Sequence, residues 1–394
     1  MFVGNIATGE NFFDRKRELD DLRLMLAHDH VVLSGCRRLG KSSVLNRLRE
    51  QLEAEGFPAT HLSVEDASTA EAFVEKLDQA IPEAWLKQKL ESASHKVRDF
   101  FARIEKVEGR FAGAGGGIDI APAAASPQWP ARLDAVFDRL RKHPAIVMID
   151  EFSVFLARIL VHDKAQAEQL CARMRSWRNR PDMQARLVYS GSISLPGLLE
   201  EHRVSTTFND CAEFELGPFT ERSAEQMVVT VAERSQYEIT PDQAATLCRR
   251  VGWLSPYFVN RLFAATTRAA SDRYDELALA GPRRIEDVDI DNGFESLVGQ
   301  RSLFIHWDQR LDRSPDAPVK RRCLKAIADA DAGLPLSRLS ARLAKLLPDA
   351  ETRRDTLKRA LRQLGDEGYL SPPDAEGRYL FRSFLLAAYW KRHE

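Results

Sequence analysis

Thirteen consecutive residues constrain this chain more than any others: Val31-Val32-Leu33-Ser34-Gly35-Cys36-Arg37-Arg38-Leu39-Gly40-Lys41-Ser42-Ser43. They read as a buried strand, a glycine-bounded loop and the start of a helix reaching Leu52. Gly35 to Ser42 fits the phosphate-binding pattern G-x-x-x-x-G-K-[ST]. Gly35 and Gly40 let the backbone turn tightly and approach a phosphate with no Cβ in the way. Successive N–H groups of the loop, through Arg37, Arg38 and Ser43, then form an anion nest at a helix N-terminus. Lys41 adds a point charge for the outer phosphates, and the Ser42 hydroxyl is placed for Mg²⁺.

A chain folding around such a loop needs further buried parallel strands, and the sequence offers them. Ala59–Glu65 alternates as a second strand, and Ala145-Ile146-Val147-Met148-Ile149 is apolar enough to be buried on both faces. It runs into Asp150-Glu151. Two carboxylates at a strand end are costly without a task. The matching task is the second half of the same site, with Asp150 holding the Mg²⁺ shell and Glu151 polarising the attacking water. Ala185–Ser192 is another buried strand whose last residue, Ser192, either senses the outer phosphate and the water or simply turns the chain. Glu213–Phe219 is a short last strand. Helices are expected over Thr69–Gln79, Glu83–Lys106, Trp129–Lys142 and Lys164–Asn179, the last with Asp163 as N-cap. Its arginines Arg173, Arg175, Arg178 and Arg180 are either a solvated face or donors to a neighbouring subunit. An amphipathic helix with Asp14 as N-cap precedes the first strand, and Arg15 at its entry either packs beside that strand with the rest of the helix or borders an adenine pocket. The glycines between Gly109 and Gly117 and the Ala/Pro run after them read as an excursion from the sheet.

With 394 residues, two or three domains are expected. The predicted division is a phosphate-loop core over 1–218, a helical lid over 219–300 and a tail domain over 301–394. In the lid, helices over Ser223–Gln236, Thr240–Val251 and Pro256–Ser271 are punctuated by Gly252 and Pro256. Ile285–Gly299 is a further helix, and the stretch through Trp307 to Asp316 bridges to the tail. There, helices over Pro318–Ala328, Leu336–Leu347 and Glu351–Leu364 precede a strand–turn–strand at Tyr369–Phe381. That is the order of a winged helix. On its third helix Arg354, Lys358 and Arg362 recur at i, i+4, i+8, away from Leu357, Leu361 and Leu364. This is either a recognition face for duplex DNA or a solvated face on a protein-binding module.

Composition narrows the setting. The net charge of −1 exerts no global pull on nucleic acid, although residues 318–394 carry 16 lysines and arginines against 10 acids. Five scattered cysteines with no C-x-x-C pair argue against a zinc site or disulfide framework and for a reducing cytoplasm. No apolar run reaches membrane-spanning length, and residues 1–5 lack the regions of a signal peptide.

Taken together, the chain resembles the archaeal-type ATPases, P-loop ATPases near the AAA+ and STAND classes and similar in layout to the origin-recognition initiator ATPases. The resemblance rests on Phe13-Asp14-Arg15 with Glu18-Leu19, the loop from Gly35 to Ser42 with its double arginine, Asp150-Glu151-Phe152, Gly191-Ser192, Leu216-Gly217-Pro218-Phe219, and Gly252 with Pro256. Cys36 stands where the family usually has proline, and Ser42 where threonine is common. The resemblance implies an α/β P-loop fold of the AAA+ type, with a helical lid and a C-terminal winged helix. It also implies ATP, Mg²⁺ and hydrolysis, with Gly252 and Pro256 near the adenine. No lid arginine of the initiator type stands out; Arg249 and Arg250 only neighbour the right region. The expected function is a slow ATPase acting as a nucleotide-dependent switch, coupled to DNA or a protein partner through the tail. The competing readings are an oligomeric DNA-associated loader or motor, and a small-molecule kinase. Asp150-Glu151 and the attached tail domain speak against the kinase.

Overall fold

The computed structural model describes residues 6–86, 128–314, 316–330 and 332–393. The helix expected over Glu83–Lys106, beyond residue 86, and the glycine-rich excursion up to residue 127 lie outside the described residues. The chain forms two compact units, one of Ile6–Gly35 with Gly40–Leu216, the other of Cys36–Leu39 with Gly217–Glu394.

The first unit is built on a five-stranded parallel sheet. Its strands are β1 (His30–Ser34), β2 (Ala59–Ser63), β3 (Ile146–Asp150), β4 (Arg186–Ser190) and β5 (Cys211–Glu215), in the order β2-β3-β4-β1-β5. All four pairings are parallel; Val31 lies between Val188 and Ala212, and Ser63 opposite Asp150. Every residue of β3 and β4 is buried, as an interior parallel strand requires. The helices of this unit are α1 (Lys16–Leu26), α2 (Lys41–Ala54), α3 (Ala70–Ala80), α4 (Trp129–Lys142), α5 (Phe152–His162), α6 (Lys164–Arg178) and α7 (Leu195–Glu201). Asp163 caps α6 by accepting the Gln166 N–H at 2.9 Å, as expected. Phe73 of α3 stacks on Phe155 of α5, with ring centroids 4.8 Å apart.

Three readings of this unit change. Helix α5 is an addition: Phe152, Phe155, Leu156, Ile159 and Leu160 are buried at helical spacing, within a segment apolar enough to pass for an extension of β3. Asp14 does not cap α1, because Asp14 (φ 55°) and Arg15 (φ 70°) are both left-handed and no side chain caps the helix. Arg178 is not presented to a neighbour. Its buried guanidinium bonds both Asp210 oxygens at 2.8 and 2.9 Å, the Thr207 carbonyl at 2.5 Å and the Tyr189 hydroxyl at 3.1 Å.

The second unit is mainly helical: α8 (Glu221–Arg234), α9 (Pro241–Val251), α10 (Pro256–Glu276), α11 (Asp287–Gly299), α12 (Arg301–Arg313), α13 (Ala317–Ala328), α14 (Leu336–Leu343), α15 (Ala350–Asp366) and α16 (Phe384–His393). Thr240 and Gln243 form a reciprocal capping box that starts α9 behind Pro241. Two short pairings complete the unit: β6 (Tyr237–Glu238) with β7 (Arg283–Arg284), and β8 (Leu334–Pro335) with β9 (Arg378–Tyr379). Leu370 also bridges Phe381, closing a small hairpin. The stretch through Trp307 is a helix rather than a bridge. Phe304, Trp307 and Leu311 are buried, and Trp307 meets Tyr369 edge to face at 4.7 Å. Helix α16 is a further addition, burying Leu385, Leu386, Tyr389 and Trp390. The expected lid–tail division falls between Gly299 of α11 and Arg301 of α12, inside this unit. All five cysteines are free, and no described helix is long and apolar enough to cross a membrane.

Candidate nucleotide site

The strand order determines the site. β1 and β3 are not neighbours, because β4 lies between them. The loop after β1 and the carboxylates after β3 therefore flank the end of β4, at the carboxyl edge where open α/β sheets collect ligands.

Gly35 (φ 129°) and Gly40 (φ 89°) both take a positive φ that residues with a side chain rarely adopt, and a Cβ on Gly35 would stand 2.5 Å from the Leu216 carbonyl oxygen. Gly40 is the N-cap of α2, whose first residue is the buried Lys41. The Lys41 Nζ donates to the Gly35 carbonyl at 2.6 Å, so the ammonium lies across the mouth of the loop. The Ser42 hydroxyl is close enough to the Asp150 carboxyl to help keep it ionised. Ser43 faces elsewhere, its Oγ accepting the Ala7 N–H at 2.9 Å.

Asp150 is the hub. Its carboxyl bonds the Ser190 hydroxyl, accepts the Glu151 N–H at 3.0 Å, and lies 3.4 Å from the His61 Nε2. Burial opposes its ionisation, but the hydrogen bonds from His61, Ser190 and Ser42 outweigh burial and hold the carboxyl down at about 2. Glu151 takes a left-handed backbone, φ 57°, between β3 and α5. That turn brings its Oε2 to the Ser192 N–H at 2.9 Å. Gly191 beside it packs directly on Ser153 of α5, whose hydroxyl also accepts the Ile193 N–H at 3.3 Å. The carboxylate of Glu151 is thus fixed by a loop that is itself fixed.

The structure brings Lys41, Ser42, Asp150, Glu151 and Ser192 together within the first unit. Arg15 belongs to the same unit, buried and paired with Glu18 at 2.5 Å. Arg37, Arg38 and Pro256 belong to the second unit. In it the Arg38 guanidinium lies 3.8 Å from the Tyr257 ring centroid, and the Arg38 carbonyl accepts the Ser255 hydroxyl at 2.7 Å. Pro256 is the first residue of α10, directly after Ser255. Arg354, Lys358 and Arg362 are exposed on α15, opposite its buried Leu357, Leu361 and Leu364.

Two members of the site escape a reading of the sequence alone. His61 pairs with Met148 across β2 and β3, so its side chain lies on the same face as Asp150, two residues further on. Ser190 follows Tyr189, which pairs with Ile149, and so comes level with Asp150. Only register carries these signals.

The donor set suits a hard cation. An ionised carboxylate and a hydroxyl, without thiolates, are what Mg²⁺ takes when phosphates and water complete its shell. Among the described residues no group of three or more His, Cys, Asp or Glu is assembled as a metal site.

No protein-family model and no curated protein matches the sequence. Among solved structures the chain is similar to the Walker-type ATPase of Pyrococcus abyssi, at a TM-score of 0.65 and 16% identity, covering 98% of this chain and 97% of that one. It is also similar to the ORC2 protein of Aeropyrum pernix, solved as ADPNP–ADP complexes, at a TM-score of 0.55 and 15% identity, covering 98% and 95%. At such identities the likeness is one of fold, and it extends over nearly the whole of each chain.

Proposed function

We propose, for a chain with the P-loop ATPase fold of the AAA+ type, that it binds ATP with Mg²⁺, hydrolyses it slowly, and works as a nucleotide-dependent switch. The observation that carries this reading is the Asp150 carboxyl at the end of β3, held by the Ser190 hydroxyl, the Glu151 N–H and His61. With Ser42, whose hydroxyl helps keep that carboxyl ionised, it makes the pair of groups a phosphate-bound Mg²⁺ needs. Lys41 then neutralises the outer phosphates, and the loop N–H groups hold the charge as it shifts. Glu151, aimed by the Ser192 N–H, takes a proton from water. Bound Mg²⁺ supplies charge neutralisation between the phosphates. Arg37 and Arg38 belong to the loop whose N–H groups meet the phosphates, Arg15 is proposed to border the base, and the family resemblance puts Gly252 and Pro256 near the adenine.

The output is assigned to residues 301–394. The order α13, α14, α15 and the hairpin closed at Leu370 and Phe381 supports a winged helix. Its α15 presents Arg354, Lys358 and Arg362 to duplex DNA or to an acidic protein surface. Intrachain pairing favours a switch over a motor driven by a trans-acting arginine from α6 or the turn after it: on α6 Arg173 is engaged by Asp134, Arg178 by Asp210, and Arg175 lies 4.0 Å from Asp210, while Arg180 beyond the helix pairs with Asp182. The free cysteines suit a cytoplasmic setting.

The test is ATP turnover by wild type and Lys41→Ala, with and without duplex DNA, at two salt concentrations. Slow wild-type turnover that Lys41→Ala abolishes is expected. Stimulation by duplex that fades at the higher salt identifies DNA as the partner of α15; turnover indifferent to duplex points to a protein. A wild-type chain that binds no ATP overturns the proposal.

A further inference from the structure

We infer that the cleft between α9, α11 and α16 is a binding site for single-stranded nucleic acid, taking one unstacked base at a time. It lies wholly in the second unit and does not depend on the ATPase reading.

The cleft has a volume of about 340 Å³ and is lined by Thr246, Arg249 and Arg250 of α9, Phe294 of α11 and Phe384 of α16. Phe384 is the unusual member. It is 56% exposed, yet its position is fixed from behind. The buried Ser383 hydroxyl donates to the Val251 carbonyl at 3.3 Å, which sets the start of α16 against the end of α9. Gly252, with φ 75°, ends α9, and a Cβ there would stand 2.6 Å from the Phe384 ring. The absence of that Cβ is what lets the ring rest on the backbone. A large apolar ring that is backed by packed main chain and still left exposed offers a preformed stacking surface. The half-buried Phe294 provides a second ring.

The charges around the rings distinguish the occupant. Arg249 and Arg250 are consecutive on a helix, so they diverge by about 100°. Arg249 turns back to the Thr246 hydroxyl at 2.7 Å. Arg250 crosses to Asp291 and lies 5.8 Å from the Phe294 centroid. Both are exposed. Two arginines that diverge around an aromatic cleft do not clamp one phosphate, as recognition of a phosphotyrosine would need. They suit successive phosphates of a polymer whose base enters between them. A base paired within a duplex has no free face to offer, so the cleft selects single strands.

The experiment measures binding of fluorescent oligothymidylate and oligouridylate, and of a duplex, to the full chain by anisotropy at low and moderate salt. Both single strands, or one of them, should bind, more weakly as salt rises. Phe384→Ala should weaken binding about 5- to 150-fold, the range for loss of one stacked base. Arg249→Glu should weaken it and flatten the salt dependence. Phe384→Trp, matched to wild type by thermal melting, should bind and show quenching of the new indole on addition of oligothymidylate. Absence of binding by the wild type to either strand overturns the inference. So does unchanged affinity in Phe384→Ala, or binding by Phe384→Trp without quenching, or a phosphotyrosine peptide that binds where the oligonucleotides do not.

Discussion

Replacing Glu151 by glutamine separates charge from position at the site. Glu151 Oε2 accepts the Ser192 N–H at 2.9 Å. A glutamine amide oxygen accepts the same bond, the side chain has the same length, and neither residue is β-branched, so the backbone at φ 57° is no worse tolerated. What is lost is the ability to take a proton. A general base contributes about 10²- to 10⁴-fold, which is about 3–5 kcal/mol of transition-state stabilisation at 1.4 kcal/mol per tenfold. Ser42, Asp150 and Lys41 are untouched, so ATP affinity should stay within about twofold of wild type. Single-turnover hydrolysis of labelled ATP gives the first quantity, and titration with a fluorescent ATP analogue gives the second. Glu151→Ala should lose as much hydrolysis and, lacking the acceptor for Ser192, also change the mobility of residues 191–193. Hydrolysis by Glu151→Gln within about threefold of wild type would refute the assignment, because no general base is worth so little.

Other outcomes follow from the same geometry. His61→Ala removes one of the groups holding Asp150; ATP turnover should then need about 10-fold more Mg²⁺, read by Mg²⁺ titration, the usual size of an effect on a ligand's supporting residue. Arg178→Ala strands the half-buried Asp210 carboxylate and should destabilise the first unit by about 2–4 kcal/mol in urea unfolding, whereas Arg178→Met with Asp210→Leu should cost much less. Burial, with Arg186 and Arg178 alongside, pulls His30 down to about 3. The folded unit therefore binds fewer protons than the unfolded chain below the ordinary histidine value of about 6.5, and stability should fall by up to about 1.4 kcal/mol per pH unit as pH drops below it. Asp150, held at about 2, adds to the loss below the ordinary carboxylate range. Thermal melting from about pH 7 to about pH 5 should show a slope for wild type that is reduced in His30→Asn, and equal slopes would contradict the account.

The sequence by itself determined the pieces of this protein that repeat local physics. The glycine loop and Lys41-Ser42, the apolar runs of β1, β3 and β4, the placement of Asp150-Glu151 at a strand end, the cap at Asp163 and the helix Trp129–Lys142 all depend on neighbours a few residues away. Helices α5 and α16 were equally local, since their buried residues recur at helical spacing, but α5 is so apolar that strand and helix readings compete. Tertiary structure decided what depends on register and on distant backbone. The insertion of β4 between β1 and β3 put Ser190 beside Asp150, and pairing of β2 with β3 brought His61 to the same carboxyl. Asp210 turned Arg178 from a surface arginine into a buried ion-pair partner. The left-handed Asp14 and Arg15 displaced a cap that composition alone favours. Phe384 met Gly252 across more than a hundred residues. Hydrophobic periodicity encodes which face of an element is buried; it does not encode which element will lie against that face, and the chemistry of this molecule is assembled at those meetings.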